Sequence, residues 1–364
     1  MSTSQPLPTQ PEPAPDAASS RPDLKAMTRE QLTDWVREEL GESRFRGDQI
    51  FQWLHQKRAR DVAGMTNLSK KLRARLERTA RVGGLTLQDV RVARDGTRKL
   101  LFETAAGDRL ESVLIPMEDR ITQCVSSQIG CKIGCRFCLT ARMPLRRNLS
   151  ASEIVDQVLW AQQVLEEDGG EHERVSNIVY MGMGEPLDNY DNVVASLRIL
   201  MDEHGANFSS RRITVSTSGV VPKIARLGHD VPVNLAVSLN ASYDAQRTGV
   251  IPINKVWDIE QLMGALRAFP LPPRRRITVE YVMLAGVNDT PDDARRLVGL
   301  LRGIRCKVNL IPFNPWPGAP YSRPSNDAVE AFGAILKDAD YTVTIRYSKG
   351  EDIGAACGQL DGET

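Results

Sequence analysis

The segment GCKIGCRFCLT, residues 130–140, carries three cysteines, Cys131, Cys135 and Cys138, in the spacing C-x3-C-x2-C. Structural zinc sites use four ligands, usually as two well-separated cysteine pairs. A zinc site here would need Cys124, which lies in a predicted strand, as its fourth ligand. An iron-sulfur cluster is normally held by four thiolates. Three thiolates on one short loop therefore favour a [4Fe-4S] cluster in which one iron is open to another ligand, with zinc as the alternative.

Apolar extended segments alternate with helical ones through most of the chain after residue 120. This alternation predicts six strand-helix units and a parallel sheet wound in one direction. The expected fold class is α/β, a partial (β/α)6 barrel of the TIM type with a small helical N-terminal domain; a doubly wound sheet is the alternative. The predicted strands carry the sequences TQCVSSQ, NIVYMGM, RITVSTS, VNLAVSL, ITVEYVML and KVNLIPF.

The segments before the barrel have different patterns. Residues 1–22 are rich in Pro, Ala, Ser and Gln, which predicts a disordered tail. Residues 23–90 show apolar residues at helical spacing, which predicts a small helical accessory domain with a basic outer face. That face is either an RNA-binding surface or an ordinary solvated one. Residues 91–349 are predicted to form the core, led by a β-hairpin that turns near Gly107 and Asp108. Residues 350–364, rich in small residues, are predicted to be a mobile C-terminal tail.

Charge and hydropathy limit the class of protein. The 47 basic residues nearly equal the 46 acidic ones, so an RNA-binding surface would be a local basic patch. The sequence shows neither a signal peptide nor a membrane-spanning run, which predicts a cytoplasmic protein without membrane contact. Six cysteines in such a compartment are expected to be free, catalytic or metal-bound. The candidate basic patches are residues 142–147, 211–212 and 274–276 and, in the helical domain, Lys70, Lys71, Arg73 and Arg75.

The cysteine spacing, with aromatic Phe137 directly before the last cysteine, resembles the radical S-adenosylmethionine superfamily. The resemblance implies that Cys131, Cys135 and Cys138 hold one [4Fe-4S] cluster. It further implies that the open iron binds the amino and carboxylate groups of S-adenosylmethionine. An electron, delivered by an external donor such as a flavodoxin-type reductase system, would then cleave the sulfonium to give a 5′-deoxyadenosyl radical.

Polar residues follow the predicted strands, where ligand sites of parallel (β/α) folds lie. Glu185 and the Gly184 backbone are suited to the positively charged amino group of that cofactor. The other polar groups offer donors and acceptors for its ribose, carboxylate and adenine. The predicted cofactor contacts are Gly184, Glu185, Ser216, Ser238, Leu239, Asn240 and Asn314.

From about Leu24 onward, the chain resembles the family of dual-specificity methyltransferases that act on adenine C2 in ribosomal and transfer RNA. The resemblance implies 2-methyladenosine as the product, at the peptidyl transferase centre of 23S rRNA and next to the anticodon of tRNA on its 3′ side. A monomer is expected. The matching stretches are ESVLIP, CVSSQIGCKIGCRFC, VSTSGVVP, VNLIPFNPWPGAPYSRPS and AACGQL.

The same resemblance assigns the covalent chemistry. Cys357 would accept a methyl group from one S-adenosylmethionine, and a second would generate the radical, so that two are used per turnover. The methylene radical on Cys357 would add to C2 and join protein and RNA. Glu111 would accept the C2 proton, and Cys124 would release the product by forming a transient disulfide with Cys357. Cys306 is left as a buried core residue.

Two alternatives stay open at this point. A related adenine-C8 ribosomal RNA methyltransferase that confers antibiotic resistance would share the cluster and both catalytic cysteines. A zinc-bound RNA-binding protein without enzymatic activity would use the same cysteine loop differently.

Overall fold

The computed structural model describes residues 21–118, 120–169 and 174–362, so nearly all of the predicted Pro-rich tail lies outside the described residues. The strands are β1 (Leu85–Val92), β2 (Arg98–Thr104), β3 (Arg109–Met117), β4 (Arg120–Cys124), β5 (Gln128–Ile129), β6 (Arg147–Asn148), β7 (Val175–Tyr180), β8 (Ile213–Thr217), β9 (Asn234–Ser238), β10 (Ile277–Met283), β11 (Cys306–Pro312) and β12 (Val343–Ile345). The helices are α1 (Arg29–Leu40), α2 (Arg44–His55), α3 (Lys70–Thr79), α4 (Ala151–Glu167), α5 (Tyr190–Met201), α6 (Val221–Asp230), α7 (Asp244–Val250), α8 (Ile259–Ala268), α9 (Pro291–Leu301) and α10 (Asn326–Asp338).

Ten of the strands form one sheet in the order β1-β2-β3-β4-β7-β8-β9-β10-β11-β12. The pairs from β1 to β4 are antiparallel, and every pair from β4 to β12 is parallel. A doubly wound sheet would reverse its strand order partway, whereas this order runs in one direction. The six predicted strands and the partial barrel are confirmed.

Local sequence accounts for many helix boundaries. Ser150 caps α4 and Glu153 returns a hydrogen bond to the cap backbone, and Thr290 with Asp293 does the same for α9. The interior strand β10 is buried at all seven positions, as expected where helices cover one face and the barrel interior the other. No helix among the described residues is long and apolar enough to cross a bilayer.

The predicted hairpin is confirmed, since β2 ends at Thr104 and β3 begins at Arg109. The sequence interpretation missed β1, which pairs with β2 along the sheet edge. Only its first residue is buried, and a bulge lies between Leu87 and Asp89, so the strand carries no clear period-two signal. The expected boundary after residue 90 falls inside this strand.

The predicted N-terminal helices α1–α3 are present and are anchored to α4. The ammonium of Lys25 lies 2.8 Å from a carboxylate oxygen of Asp156, and both side chains are 2% exposed. The second oxygen of Asp156 accepts a hydrogen bond from the Leu85 backbone at 2.8 Å, and Ser152 donates to Asp23 at 2.7 Å. These buried contacts tie the helical region to the start of the sheet.

Replacing Lys25 by Met should lower the free energy of unfolding by about 3–5 kcal/mol, because the buried Asp156 carboxylate would lose its counter-charge. Urea denaturation measures the change. Lys71→Met on the exposed face of α3 is the control and should stay within about 0.5 kcal/mol of the parent. Equal stabilities for the Lys25 variant and the control would contradict this role.

Candidate active site

The cysteine loop is closed at its base by the short antiparallel pair β5-β6, in which Ile129 lies opposite Arg147. Gly130 follows β5 with φ of 78°, and a Cβ there would lie 2.2 Å from the Pro144 carbonyl oxygen. The loop therefore requires glycine at this position. The cysteine loop comes after the carboxyl end of β4 and the short β5, in agreement with its predicted place after the first strand of the barrel.

The three loop cysteines influence one another. Burial raises the pKa of Cys131 to about 12, with smaller contributions from Cys138 and the nearby carboxylates. Burial also raises the pKa of Cys135, as do the neighbouring thiols Cys138 and Cys131. Three thiols that interact in this way are suited to a positively charged iron-sulfur core, since bound metal deprotonates its thiol ligands.

Among the described residues, no group of three or more His, Cys, Asp or Glu side chains is arranged around a single metal ion. A [4Fe-4S] cube binds each thiolate to a different iron, so its ligands need not converge on one point. The donor set of the loop, three thiols on one turn, fits the cluster.

The predicted cofactor residues Gly184 and Glu185 pack against the loop. The backbone N–H of Glu185 donates to Gln128 at 2.8 Å, and a Cβ on Gly184 would lie 2.5 Å from the Gln128 side chain. The buried Glu185 carboxylate accepts hydrogen bonds from the backbone and hydroxyl of Ser218 at 2.7 and 2.6 Å. Burial raises the pKa of Glu185, and these hydrogen bonds oppose the rise.

Asn240 follows β9 in a left-handed conformation, with φ of 54°. Its side-chain oxygen accepts a hydrogen bond from the Val282 backbone at 2.7 Å, while its buried side-chain nitrogen has no hydrogen-bond partner among the described residues. An unused buried donor is costly unless a ligand satisfies it. Ser216, Ser238 and Leu239 lie at the same carboxyl ends, on β8, on β9 and directly after β9.

Arg247, on α7, is a buried residue of this rim that the sequence interpretation missed. Its guanidinium donates to the carbonyls of Ser218, Ser238 and Leu239 at 2.6, 3.2 and 3.1 Å, and to the Asn254 side chain at 3.1 Å. Burial lowers the pKa of Arg247 to about 10, so the group stays charged at neutral pH. It joins the carboxyl ends of β8 and β9.

The C-terminal segment lies across the rim and carries Cys357 to it. Asn314 donates to the Cys357 carbonyl at 3.1 Å, and the Leu139 backbone, next to Cys138, donates to the Gly358 carbonyl at 2.8 Å. Residue 357 is exposed at the surface. Desolvation by neighbouring groups raises the pKa of Cys357, and the Cys124 and Cys138 thiols add to the rise.

Glu111, on β3, is fully buried and paired with Lys99, another residue that the sequence interpretation missed. One carboxylate oxygen lies 2.9 Å from the Lys99 ammonium. The other accepts hydrogen bonds from the backbones of Asp361 and Gly362 at 3.0 and 3.2 Å. The end of the tail therefore covers the predicted proton acceptor.

Cys124 ends β4 opposite Val113 of β3, and its carbonyl accepts a hydrogen bond from Ser112 at 2.8 Å. Burial raises the pKa of Cys124 to about 12. Cys124 and Cys357 interact electrostatically, but both are free thiols, as are the other four cysteines. The structure thus does not support the predicted disulfide as one of its features. Cys306 is buried, as predicted.

Comparison with known proteins gives two family matches. Residues 22–82 match the ribosomal RNA large subunit methyltransferase N-terminal domain, and residues 125–298 match the radical SAM superfamily. The dual-specificity RNA methyltransferase RlmN of Geotalea uraniireducens is 51% identical over 340 residues, which cover 93% of this chain and 96% of that protein. A second RlmN protein, RlmN 2 of Myxococcus xanthus, is 48% identical over 98% of this chain and 95% of its own length.

A solved structure is also similar. The crystal structure of a radical SAM methyltransferase from Sphaerobacter thermophilus superposes with a TM-score of 0.88 at 45% sequence identity, covering 94% of this chain and all of that one. The agreement extends over the core and the N-terminal helices together.

A buried carboxyl group on β10 should make the stability of the protein depend on pH. Glu280 accepts a hydrogen bond from Asn309 at 2.9 Å, and burial raises its pKa from 4.5 to about 7. Because the folded state then binds a proton that the unfolded state has lost, the stability contributed by Glu280 should fall as pH rises from about 4.5 to about 7.

Glu280→Gln should remove this dependence. Urea unfolding of the parent and the variant from about pH 5 to about pH 8 measures it, with exposed Glu330→Gln as the control. The stability of the parent relative to Glu280→Gln should decline up to about pH 7 and then level off. A constant difference across this range would contradict the assignment.

Proposed function

Since the chain belongs to the RlmN family of radical S-adenosylmethionine RNA methyltransferases, we propose that it forms 2-methyladenosine in 23S rRNA and in tRNA. One observation carries the proposal beyond membership of the superfamily. A cysteine on the C-terminal segment, Cys357, precedes Gly358, whose carbonyl accepts a hydrogen bond from Leu139 of the cluster loop, and Cys357 interacts electrostatically with Cys124. A methyl-carrying thiol would have to occupy such a place.

In this proposal Cys131, Cys135 and Cys138 hold one [4Fe-4S] cluster, and the rim residues bind S-adenosylmethionine. When bound, the cluster supplies the electron that cleaves this cofactor. The buried Glu185 carboxylate would orient the cofactor amino group, and the unpartnered nitrogen of Asn240 is a ready donor for a cofactor oxygen. The other proposed contacts are Gly184, Ser216, Ser238, Leu239 and Asn314.

Cys357 is the proposed methyl carrier. Thiolate is the nucleophilic form of cysteine, so Cys357 must lose its proton before it displaces the methyl group from the sulfonium. The pKa of Cys357 is raised in this arrangement, and the positive charge of a bound sulfonium would favour the thiolate. Because residue 357 is exposed, its proton would pass to solvent. Two molecules of S-adenosylmethionine would then be used per turnover, one for the methyl group and one for the radical.

Glu111 is the proposed acceptor of the adenine C2 proton, and Lys99 keeps its carboxylate in place. The backbone N–H groups of Asp361 and Gly362 occupy the oxygen that would accept the proton. The end of the tail must therefore withdraw before Glu111 can act. Cys124 is the proposed resolving thiol, which attacks the Cys357 sulfur as the carbon-sulfur bond breaks and leaves a transient disulfide for an external thiol to reduce.

RNA would reach the rim with its target adenosine turned out of the stack. The basic residues predicted to contact RNA differ in how far contacts within the protein already engage their side chains. Arg147 forms ion pairs with Asp108 and Glu153, and Arg75 donates to the backbone of residues 39 and 40, so both hold the fold together. Arg142 lies over the Trp316 ring at 5.1 Å, and this ring donates to the Phe137 carbonyl of the cysteine loop, so Arg142 is the better candidate for RNA contact at the site.

The proposed organisation follows the domains predicted from the sequence, except that the boundary between the RNA-binding helical domain and the core moves from residue 90 to the start of β1 at Leu85, and residues 350–362 are the mobile segment with Cys357. The electron donor is proposed to be a flavodoxin-type system, and the protein is proposed to act as a cytoplasmic monomer.

Deletion of this protein from its cell should remove 2-methyladenosine from 23S rRNA and tRNA, and complementation should restore it. Nucleoside analysis by mass spectrometry, with 2-methyl- and 8-methyladenosine standards, measures both. Complementation by Cys138→Ala should fail because the cluster would lose a ligand. If 8-methyladenosine is restored instead, the C2 assignment is wrong; if Cys138→Ala restores either product, the cluster assignment is wrong.

Cys124→Ala should accumulate a covalent protein-RNA adduct during turnover, since the attack that releases Cys357 is lost. Denaturing gels with labelled RNA, before and after nuclease treatment, detect it. The matched control is Cys306→Ala, which removes a buried thiol from the amino end of β11 and should form methylated RNA without an adduct. If Cys124→Ala turns over without forming an adduct, Cys124 is not the resolving thiol.

A further inference from the structure

Arg247 combines full burial with the lack of a carboxylate partner. Its side chain is 0% exposed, and no ion pair joins it to an acidic side chain within the part of the chain that the structure describes. Its four hydrogen bonds all go to neutral oxygens, three of them backbone carbonyls. The Asp244 carboxylate acts on Arg247 electrostatically, but it belongs to an exposed residue and is linked to the guanidinium through the Asn254 side chain. Burying a charge without a buried opposite charge is expensive, so a negative group close to Arg247 would stabilise it.

The part of the cluster loop around Cys135 packs against α7, the helix that carries Arg247. The backbone N–H of Arg136, directly after Cys135, donates to the Val250 carbonyl at the end of α7 at 3.0 Å. A Cβ built on Gly134 would lie 3.7 Å from the ring of Pro252, which follows α7. Thus α7 and the following turn support the loop on both sides of Cys135. Arg247 lies on this helix, and its carbonyl accepts a hydrogen bond from the Ile251 backbone, next to the Val250 carbonyl that holds the loop.

We propose that Arg247 is the counter-charge of the iron-sulfur cluster and raises its reduction potential. This inference rests on the cluster of the proposed function. Reduction adds one electron from the external donor to a cluster already bound by thiolates. A buried cation nearby stabilises the more negative, reduced form, in a medium that screens little. The carbonyls of Ser218, Ser238 and Leu239 hold the guanidinium in place for this task.

The test is a potential measurement on full-length protein whose cluster has been reconstituted anaerobically. Arg247→Gln removes the charge and keeps a hydrogen-bond donor, and Arg247→Lys keeps the charge as the matched control. An EPR-monitored redox titration without S-adenosylmethionine, at matched iron and sulfide content, should give a more negative midpoint potential for Arg247→Gln. The potential of Arg247→Lys should stay close to that of the parent.

Equal midpoint potentials for Arg247→Gln and the parent would overturn the proposal and would leave Arg247 as a tie between strand ends. If Arg247→Gln does not retain a cluster, Arg247→Met, which also removes the charge and suits a buried position, replaces it. The midpoint potential of Arg247→Met should likewise be more negative than that of the parent, and an equal value would overturn the proposal. Failure of the unmodified protein to assemble a cluster would instead contradict the proposed function.

Discussion

The parallel hydrogen-bond ladder from β4 to β12 is the constraint on which the rest of the structure depends. Parallel pairing gives neighbouring strands the same direction, so their carboxyl ends meet on one rim. Cys124, Ser216 and Ser238 are brought together in this way although more than 100 residues separate the first from the last. The site is a consequence of the strand order.

The C-terminal tail closes this rim through backbone contacts. Residues 357–362 accept hydrogen bonds from Asn314, Leu139 and Thr140 and donate two to Glu111. Gly358 and Gly362 have φ of 83° and 70°, which other residues adopt only with strain. The Gln359 side chain also donates to the Pro315 carbonyl, and Leu360 is buried in the core. The proposed withdrawal of the segment would therefore have to release these side chains as well as the backbone contacts.

Much of the fold follows from the sequence because buried parallel strands are continuous apolar runs. All six predicted strands are present, as are the hairpin and the N-terminal helices. The edge strands β1 and β12 were missed because each is mostly half-exposed or exposed and therefore lacks an apolar pattern.

The site was less predictable, for a physical reason. The cysteines could be identified because their spacing on one loop reports the cluster directly. Arg247 and Lys99 could not, since a charged residue is normally exposed and only its buried partners reveal another role. Those partners, the strand-end carbonyls and Glu111, lie close to Arg247 and Lys99 only after the sheet has formed. Asn240 differs, because its position directly after a predicted strand is enough to predict it as a cofactor contact. Its unpartnered side-chain nitrogen agrees with that role.

The proposed chemistry depends on Cys357 as the carrier of the methyl group to RNA. The decisive measurement is brief incubation of the reduced, cluster-loaded protein with methyl-labelled S-adenosylmethionine, followed by peptide mass spectrometry. Label should appear on the peptide that contains Cys357 before RNA is added, and it should pass to RNA afterwards. Labelled RNA from a protein whose Cys357 peptide never carries label would contradict this role.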